Sequence, residues 1–370
     1  MEKNILERVL ELAITIQQIP APTFDEGERA RFVREHFLEQ GLQAVGMDET
    51  GNVLGCLPGG DALPLVVSAH LDTVFPRGTD LSLKREAGRL HGPGIGDNSM
   101  GLAALFGVIW TLRERGIKLP GDLWLVANTC EEGLGDLLGM KAVVERFGSQ
   151  VTGYLVVEGA ALGHIYHRAI GVQRYRISTQ TAGGHAWSDY GQPSAVHELA
   201  ALTAQIASLV LPQSPRTTLN VGKISGGTSI NTVAAEASLE LDMRSESPTA
   251  LGELVVTVDG LIQSANKPGV HVQSESIGQR PGGSIPADHP LVKLALACTS
   301  MQGVEPSLIG GSTDANVPLS RGLPALVMGV TTGGGAHTTG EYMDVEPVER
   351  GMEVLVQFVE KAFDIQRSSN

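Results

Sequence analysis

The sequence predicts an α/β protein: a mixed, largely parallel sheet with helices on both faces, and a smaller ferredoxin-like α+β domain inserted in its middle. Three observations predict it. Apolar runs of strand length recur at 65–69, 123–127, 154–157 and 324–329. Helical patterns separate them, as at 101–115 and 137–147, which is the rhythm of a parallel sheet covered on both sides. Between about Gly171 and Arg280 the rhythm changes to strand, helix, strand, strand, helix, strand, the βαββαβ order of a ferredoxin-like domain. A chain of 370 residues is also longer than most single cores.

The elements follow in order. Residues 4–18 carry an amphipathic helical pattern, ended by Pro20 and Pro22. Asp25 is expected to cap a second helix reaching about Gln40, with Gly41 as its stop. The apolar strands come next. The middle domain reads as strand 173–180, helix 194–211, strands 217–224 and 236–244, helix 249–265 and strand 270–279. The α/β rhythm resumes after Pro286, so the expected division is 1–170 with 283–370, and an inserted 171–282.

Composition narrows the function classes. Apolar residues make up 42% of the chain, with 46 glycines, an ordinary globular composition. A net charge of −14 without a basic stretch argues against a nucleic-acid partner. The three cysteines, Cys56, Cys130 and Cys298, form no CxxC pair, which disfavours a cysteine zinc site and a disulfide scaffold and fits a reducing compartment. The stretch "MEKNILERVLELAITIQQIPAPT" alternates charged and apolar residues, so it predicts neither a signal peptide nor a membrane span. The expectation is a cytoplasmic protein with no membrane partner.

The polar residues sit where the apolar runs end. "LVVSAHLDTVFP" ends in His70 and Asp72; "HGPGIGDNSMGLAALF" sets Asp97 in a Gly-rich turn before an apolar helix. "LVANTCEEGLGD" gives Glu131 and Glu132, "LVVEGA" gives Glu158, and "VTTGGGAHTTGEYMD" gives His337. Ligands of open α/β sheets bind outside the carboxyl ends of the strands, so these residues should converge. Each alone has an ordinary explanation: a structural histidine, a helix cap at Asp97, an arginine partner for Glu158, a loop position for His337. The adjacent carboxylates are harder to explain away. Two like charges at a buried strand end need a cation or a shared proton. Two histidines and three carboxylates on successive strand ends match the ligand needs of two zinc-like ions.

These motifs give the chain a family resemblance. "HLDTV", "GPGIGD", "EEGLG", "VVEG" and "GGGAHTTGE", with "GGHAW" and "GGTSINTVAAEASLELDMRS" in the inserted domain, stand in the order and approximate spacing of the co-catalytic di-zinc amidohydrolases and exopeptidases. That family includes aminoacylase, acetylornithine deacetylase, succinyl-diaminopimelate desuccinylase, glutamate carboxypeptidase and the tripeptide aminopeptidase peptidase T. The resemblance implies that His70 and Glu158 hold one metal, Glu132 and His337 the other, and Asp97 bridges both. It implies Asp72 behind His70, orienting the ring, and Glu131 as general base on the bridging water. It implies His185 as the oxyanion stabiliser, supplied in dimeric members by the neighbouring subunit, and Asn231 and Arg244 as substrate-binding residues, the arginine suited to a free carboxylate. The implied cofactors are two divalent ions, zinc, with cobalt or manganese as alternatives. The inserted domain is implied as a lid and a homodimer surface. His164, His167 and His197 match no ligand position. "GGSTDANV", residues 310–317, resembles a family loop near the substrate.

Two departures bear on the substrate. "NSMG" follows Asp97 where many members carry another acidic residue or Lys-Gly. Glu158 stands where deacylases and carboxypeptidases tend to have Glu and aminopeptidases Asp, which points to an N-acyl amino acid or short peptide with a free carboxylate. "IPAPTFDEGER" and "GHAWSDYG", in contrast, resemble the peptidase T-like tripeptidases. A binding protein that has lost catalysis is the alternative of another class. It should lack a metal ligand or the base, and neither is missing.

Overall fold

A computed structural model of the chain describes residues 3–367. It forms two compact units: the residues up to Ala169 together with those from Ser284 onward, and Ile170–Gly283.

The first unit is built on a mixed sheet. Its strands lie in the order Gln43–Met47, Val53–Leu57, Gly121–Asn128, Ala62–His70, Gly153–Glu158, Ala325–Gly329, His164–Ala169, and Ser307–Gly311 pairs parallel with the last. The four central strands, Gly121–Asn128 through Ala325–Gly329, are parallel. Their continuous apolar runs have a direct cause. Leu65, Val67 and Ala69 pack on one face with the helices Lys3–Gln17, Met100–Glu114 and Val348–Ala362, while Val66 packs on the other with Leu138–Phe147. Period-2 alternation between two buried faces leaves no polar face to show in the sequence. The segment Ile95–Glu114 is long and apolar enough to cross a membrane, but 89% of it is buried inside the protein, as a core helix requires.

The second unit is an antiparallel sheet ordered Thr217–Gly226, Glu236–Ser245, Gly171–Thr181, Val270–Arg280. The helices Ala195–Ala207 and Pro248–Ala265 pack on it through Leu199, Leu202, Ile206, Leu254, Val258 and Ile262, against Ile177, Leu239, Leu241 and Val272. This is the βαββαβ arrangement expected for the middle of the chain.

Two local expectations need correction. Asp25 does not cap the second helix. That helix runs Gly27–Glu39 with Glu26 at the cap position, and Asp25 is held instead by Arg77 at 2.6 Å. Gly41 does end it, in the left-handed region at φ 62°. The helix expected to reach 211 stops at Ala207. Pro212 disfavours helical backbone at 211, and Leu209 and Leu211 tuck against the core from an irregular segment while Val210 is exposed.

One close approach sets up the site. Asn98 is fully buried; its Nδ2 donates to the Val157 carbonyl at 2.8 Å and its Oδ1 accepts from the Gly159 N–H at 2.9 Å. A Cβ at position 101 would lie 2.0 Å from Asn98 Oδ1, so only glycine leaves that side chain room. Gly101→Ala is therefore expected to destabilise the protein by about 1–3 kcal/mol, despite alanine's better helix propensity. Thermal unfolding checks this, and a melting temperature at or above wild type would refute it.

Candidate metal centre

Neighbouring parallel strands end at His70, Asn128 and Glu158, with His70 opposite Asn128 in register. The loops that leave this edge carry the remaining carboxylates. His70 Nε2 lies 3.0 Å from Asp97 Oδ1 and 3.7 Å from Glu158 Oε2. His337 Nε2 lies 3.2 Å from Asp97 Oδ2 and 3.0 Å from Glu132 Oε1. The two oxygens of Asp97 therefore face different histidines. Ligand atoms of His70, Asp97 and Glu158 lie within 4.8 Å of one another, and so do those of Asp97, Glu132 and His337. A third such group joins His70, Glu131 and Glu132. Asp97 is no helix cap, and the partner of Glu158 is His70, not an arginine.

Electrostatics describe the same crowding. Burial disfavours a charged His70 ring, but Asp72, Asp97 and Glu158 outweigh it and hold its pKa well above the usual histidine range. Asp97 and Glu132 push His337 up to about 10. Burial works against an ionised Asp97, yet His337 and His70 overcome it and hold its pKa below the ordinary value. Burial, with Asp97 and Glu132 nearby, raises Glu158. Imidazole nitrogens and carboxylate oxygens gathered this closely are the donor set of a divalent ion such as zinc, whose bonds to them are about 2.0–2.2 Å. The residues present fit a divalent ion of this kind.

Asp72 is fully buried and serves both sides of the site. Its main-chain carbonyl, rather than its carboxylate, is the close partner of His70 Nδ1, at 2.9 Å against 3.5 Å. The carboxylate accepts the N–H groups of Glu131 and Glu132, each at 2.9 Å, and the Thr23 hydroxyl at 2.8 Å. These bonds aim the adjacent glutamates from one anchor. Glu131 and Glu132 are both buried. Behind Asp72, the buried Arg29 donates to the carbonyls of Leu71 and Ile19. Burial lowers its pKa to about 10, opposed by Asp72. Cys130 and His337, next to or among the candidate ligands, adopt left-handed backbone at φ 58° and 65°. Such conformations cost non-glycine residues about 1–3 kcal/mol and cluster at functional sites.

Sequence reasoning missed three supporting residues. Glu341, four residues after His337 inside the quoted Gly-rich motif, is buried. Its carboxylate accepts the N–H groups of Gly94 and Gly96 at 2.8 Å and of Asp97 at 2.9 Å. Burial pushes it up to about 7 against those bonds. The second is Asn98, already described, which ties the Asp97 loop to the end of the Glu158 strand. The third is Asp314, the one acidic residue of "GGSTDANV"; it is fully buried and accepts from Asn128 Nδ2 at 2.6 Å. Burial raises it to about 7. A carboxylate inside an otherwise apolar or glycine-rich run was the available signal for Glu341 and Asp314.

His185, Asn231 and Arg244 belong to the second unit. His185 pairs with Thr232 on a short ribbon, and the Ala186 N–H donates to the Asn231 carbonyl at 2.9 Å. Arg244 is half-exposed and its guanidinium is engaged by Asp242, at 2.7 and 3.2 Å. His164 bonds Ser307 Oγ, and the buried His167 bonds the Ile285 carbonyl.

Strand ends of a parallel sheet that present paired imidazoles and carboxylates give the chain the donor set of a metal-dependent enzyme. The chain belongs to Peptidase family M20/M25/M40, whose description matches residues 66–361. Among curated proteins it is 27% identical over 384 aligned residues to the uncharacterized protein YqjE of Bacillus subtilis, covering 98% of this chain and 99% of that one. It is 22% identical to carboxypeptidase G2 of a Pseudomonas strain, covering 88% and 82%. Among solved structures, a tripeptidase of Staphylococcus aureus superposes with a TM-score of 0.84 at 24% identity, covering 97% of this chain and 99% of that one.

Glu341→Ala leaves three N–H groups, two of them in fully buried bonds, without their acceptor and is expected to destabilise the protein by about 1–3 kcal/mol. It should also lower bound metal, measured by elemental analysis. Full stoichiometry in the variant would show that Glu341 does not hold Asp97 in place.

Proposed function

We propose that this chain is a di-metal hydrolase that cleaves the amide bond of a small N-acyl amino acid or short peptide ending in a free carboxylate. One observation carries the reading: the two oxygens of Asp97 face His70 and His337 separately, each with its own glutamate. His70, Glu158 and Asp97 would hold one ion, and His337, Glu132 and Asp97 the other. Two divalent ions, zinc in this reading, would supply an acidified water and a polarised carbonyl when bound.

The chain's own residues do the rest. Glu131 is the general base: it accepts a proton on a carboxylate oxygen and returns it to the leaving nitrogen. Its N–H and that of Glu132 both donate to the Asp72 carboxylate, which fixes the main chain from which the two side chains leave. Asp72 fixes the His70 ring through Nδ1. His185 donates a hydrogen bond to the developing oxyanion, and Asn231 and Arg244 bind the substrate, the arginine sharing its fork with Asp242. The inserted unit serves as lid and dimer surface, and the chain works in the cytoplasm. Glu158, in place of Asp, supports a free-carboxylate substrate, as does the likeness to carboxypeptidase G2. A second reading, a tripeptide aminopeptidase, is favoured by the stretches "IPAPTFDEGER" and "GHAWSDYG", which resemble the peptidase T-like tripeptidases.

Glu131→Ala is expected to lower kcat by about 10²–10⁴-fold with metal content retained; near wild-type turnover would remove it as the base. His70→Ala or His337→Ala should lower the metal-to-protein ratio, and an unchanged ratio would contradict the ligand assignments. A panel of N-acyl amino acids against tripeptides with free or blocked termini, each with zinc, cobalt or manganese, separates the two readings. Loss of turnover on blocking the amino terminus, with blocking of the carboxyl terminus tolerated, would favour the aminopeptidase.

A further inference from the structure

His185 sits in a turn that folds back on its own ring. Its main-chain N–H donates to Asp189 Oδ2 at 2.7 Å, and the Asp189 N–H donates to the His185 carbonyl at 2.9 Å. Within this turn, the N–H groups of Trp187 and Ser188 point at His185 Nδ1, at 3.2 and 3.3 Å. Ser188 Oγ lies 3.5 Å from the same nitrogen. The approach of Asp189 needs the glycine before His185: a Cβ at position 184 would fall 2.9 Å from the Asp189 Cβ.

A neutral imidazole carries one proton, and the nitrogen without it must accept. A hydroxyl partner could serve either tautomer by rotating. A backbone N–H has no such freedom, and here two of them face Nδ1. The lone pair therefore belongs on Nδ1 and the proton on Nε2. We propose that the turn 185–189 is a tautomer lock, which keeps Nε2–H as an outward donor and makes Asp189 a positioning residue for His185.

The consequence rests on the oxyanion role assigned to His185 above. A developing negative oxygen is stabilised by an N–H aimed at it and repelled by a ring lone pair. With the tautomer fixed in advance, no substrate binding energy is spent on choosing it. Asp189 touches neither substrate nor metal in this scheme; it holds the main chain from which the Trp187 and Ser188 donors are presented.

The lock can be read without activity. Protein labelled with ¹⁵N-histidine, with His185 assigned by its loss in His185→Gln, should show an unprotonated Nδ1 and a protonated Nε2 at the alkaline end of a pH titration, where the ring is neutral. A protonated Nδ1, or an averaged pair of shifts, would overturn the lock even if His185→Ala still lowers kcat. The predicted tautomer together with an unchanged kcat in His185→Ala would instead refute the oxyanion role and leave the lock standing. Asp189→Ala should mix the tautomers and lower kcat about 3–10-fold with KM and metal content little changed, the scale of one hydrogen bond. Asp189→Asn retains an acceptor oxygen and should recover most of the loss. A single Nε2–H tautomer with wild-type kcat in Asp189→Ala would remove Asp189 from the role.

Discussion

Carboxylates crowd the carboxyl end of a buried parallel sheet, and the need to hold their charge governs the arrangement around them. Asp72, Glu131 and Glu132 are buried there, and the partly buried Asp97 and Glu158 lie beside them. Like charges at these distances resist ionising together. Among the described residues, His70 and His337 meet them at 3.0–3.7 Å, and their raised pKa values record how strongly this environment calls for positive charge. Divalent cations answer the same demand with higher charge density. The candidate ligands and the electrostatics are thus two descriptions of one constraint.

That constraint explains why the scaffold beneath the site is built from hydrogen bonds to main chain. Asp72 takes two N–H groups of the Glu131–Glu132 turn, Glu341 takes three from the Asp97 loop, and Asn98 spans from that loop to the Glu158 strand. Each bond fixes a backbone segment, and so the direction in which a charged side chain leaves it. A carboxylate freed to rotate would move away from its like-charged neighbours. The supporting residues are themselves buried carboxylates and amides, so their loss leaves unsatisfied groups in a place where that is costly.

The inserted unit applies the same device to a different end. At His185, main-chain donors decide which ring nitrogen bears the proton. In the first unit they decide where carboxylates point. Main chain suits both tasks, because its donors have fixed sense and little freedom once the turn is formed.

Much of this was legible in the sequence. The apolar runs marked the strands because both faces of the sheet are buried, and the middle domain showed itself by a change of element order. His70, Glu131, Glu132 and Glu158 stood out because a charged residue closing an apolar run is locally anomalous, and Asp97 and His337 because they lie in Gly-rich motifs that carry the family resemblance. The residues that support them carry a fainter mark, an acid inside a Gly-rich or apolar run at Glu341 and Asp314. Glu341 looks like a loop acid, Asn98 like a departure from pattern, and Asp25 like a helix cap that it is not. Their partners lie tens to hundreds of residues away, so only the folded chain decides which carboxylate meets which N–H. The same holds for the two oxygens of Asp97. Residue type determined that a carboxylate stands there, but tertiary structure decided that each oxygen faces its own histidine, because that depends on bringing strand ends and a late loop to one edge of the sheet.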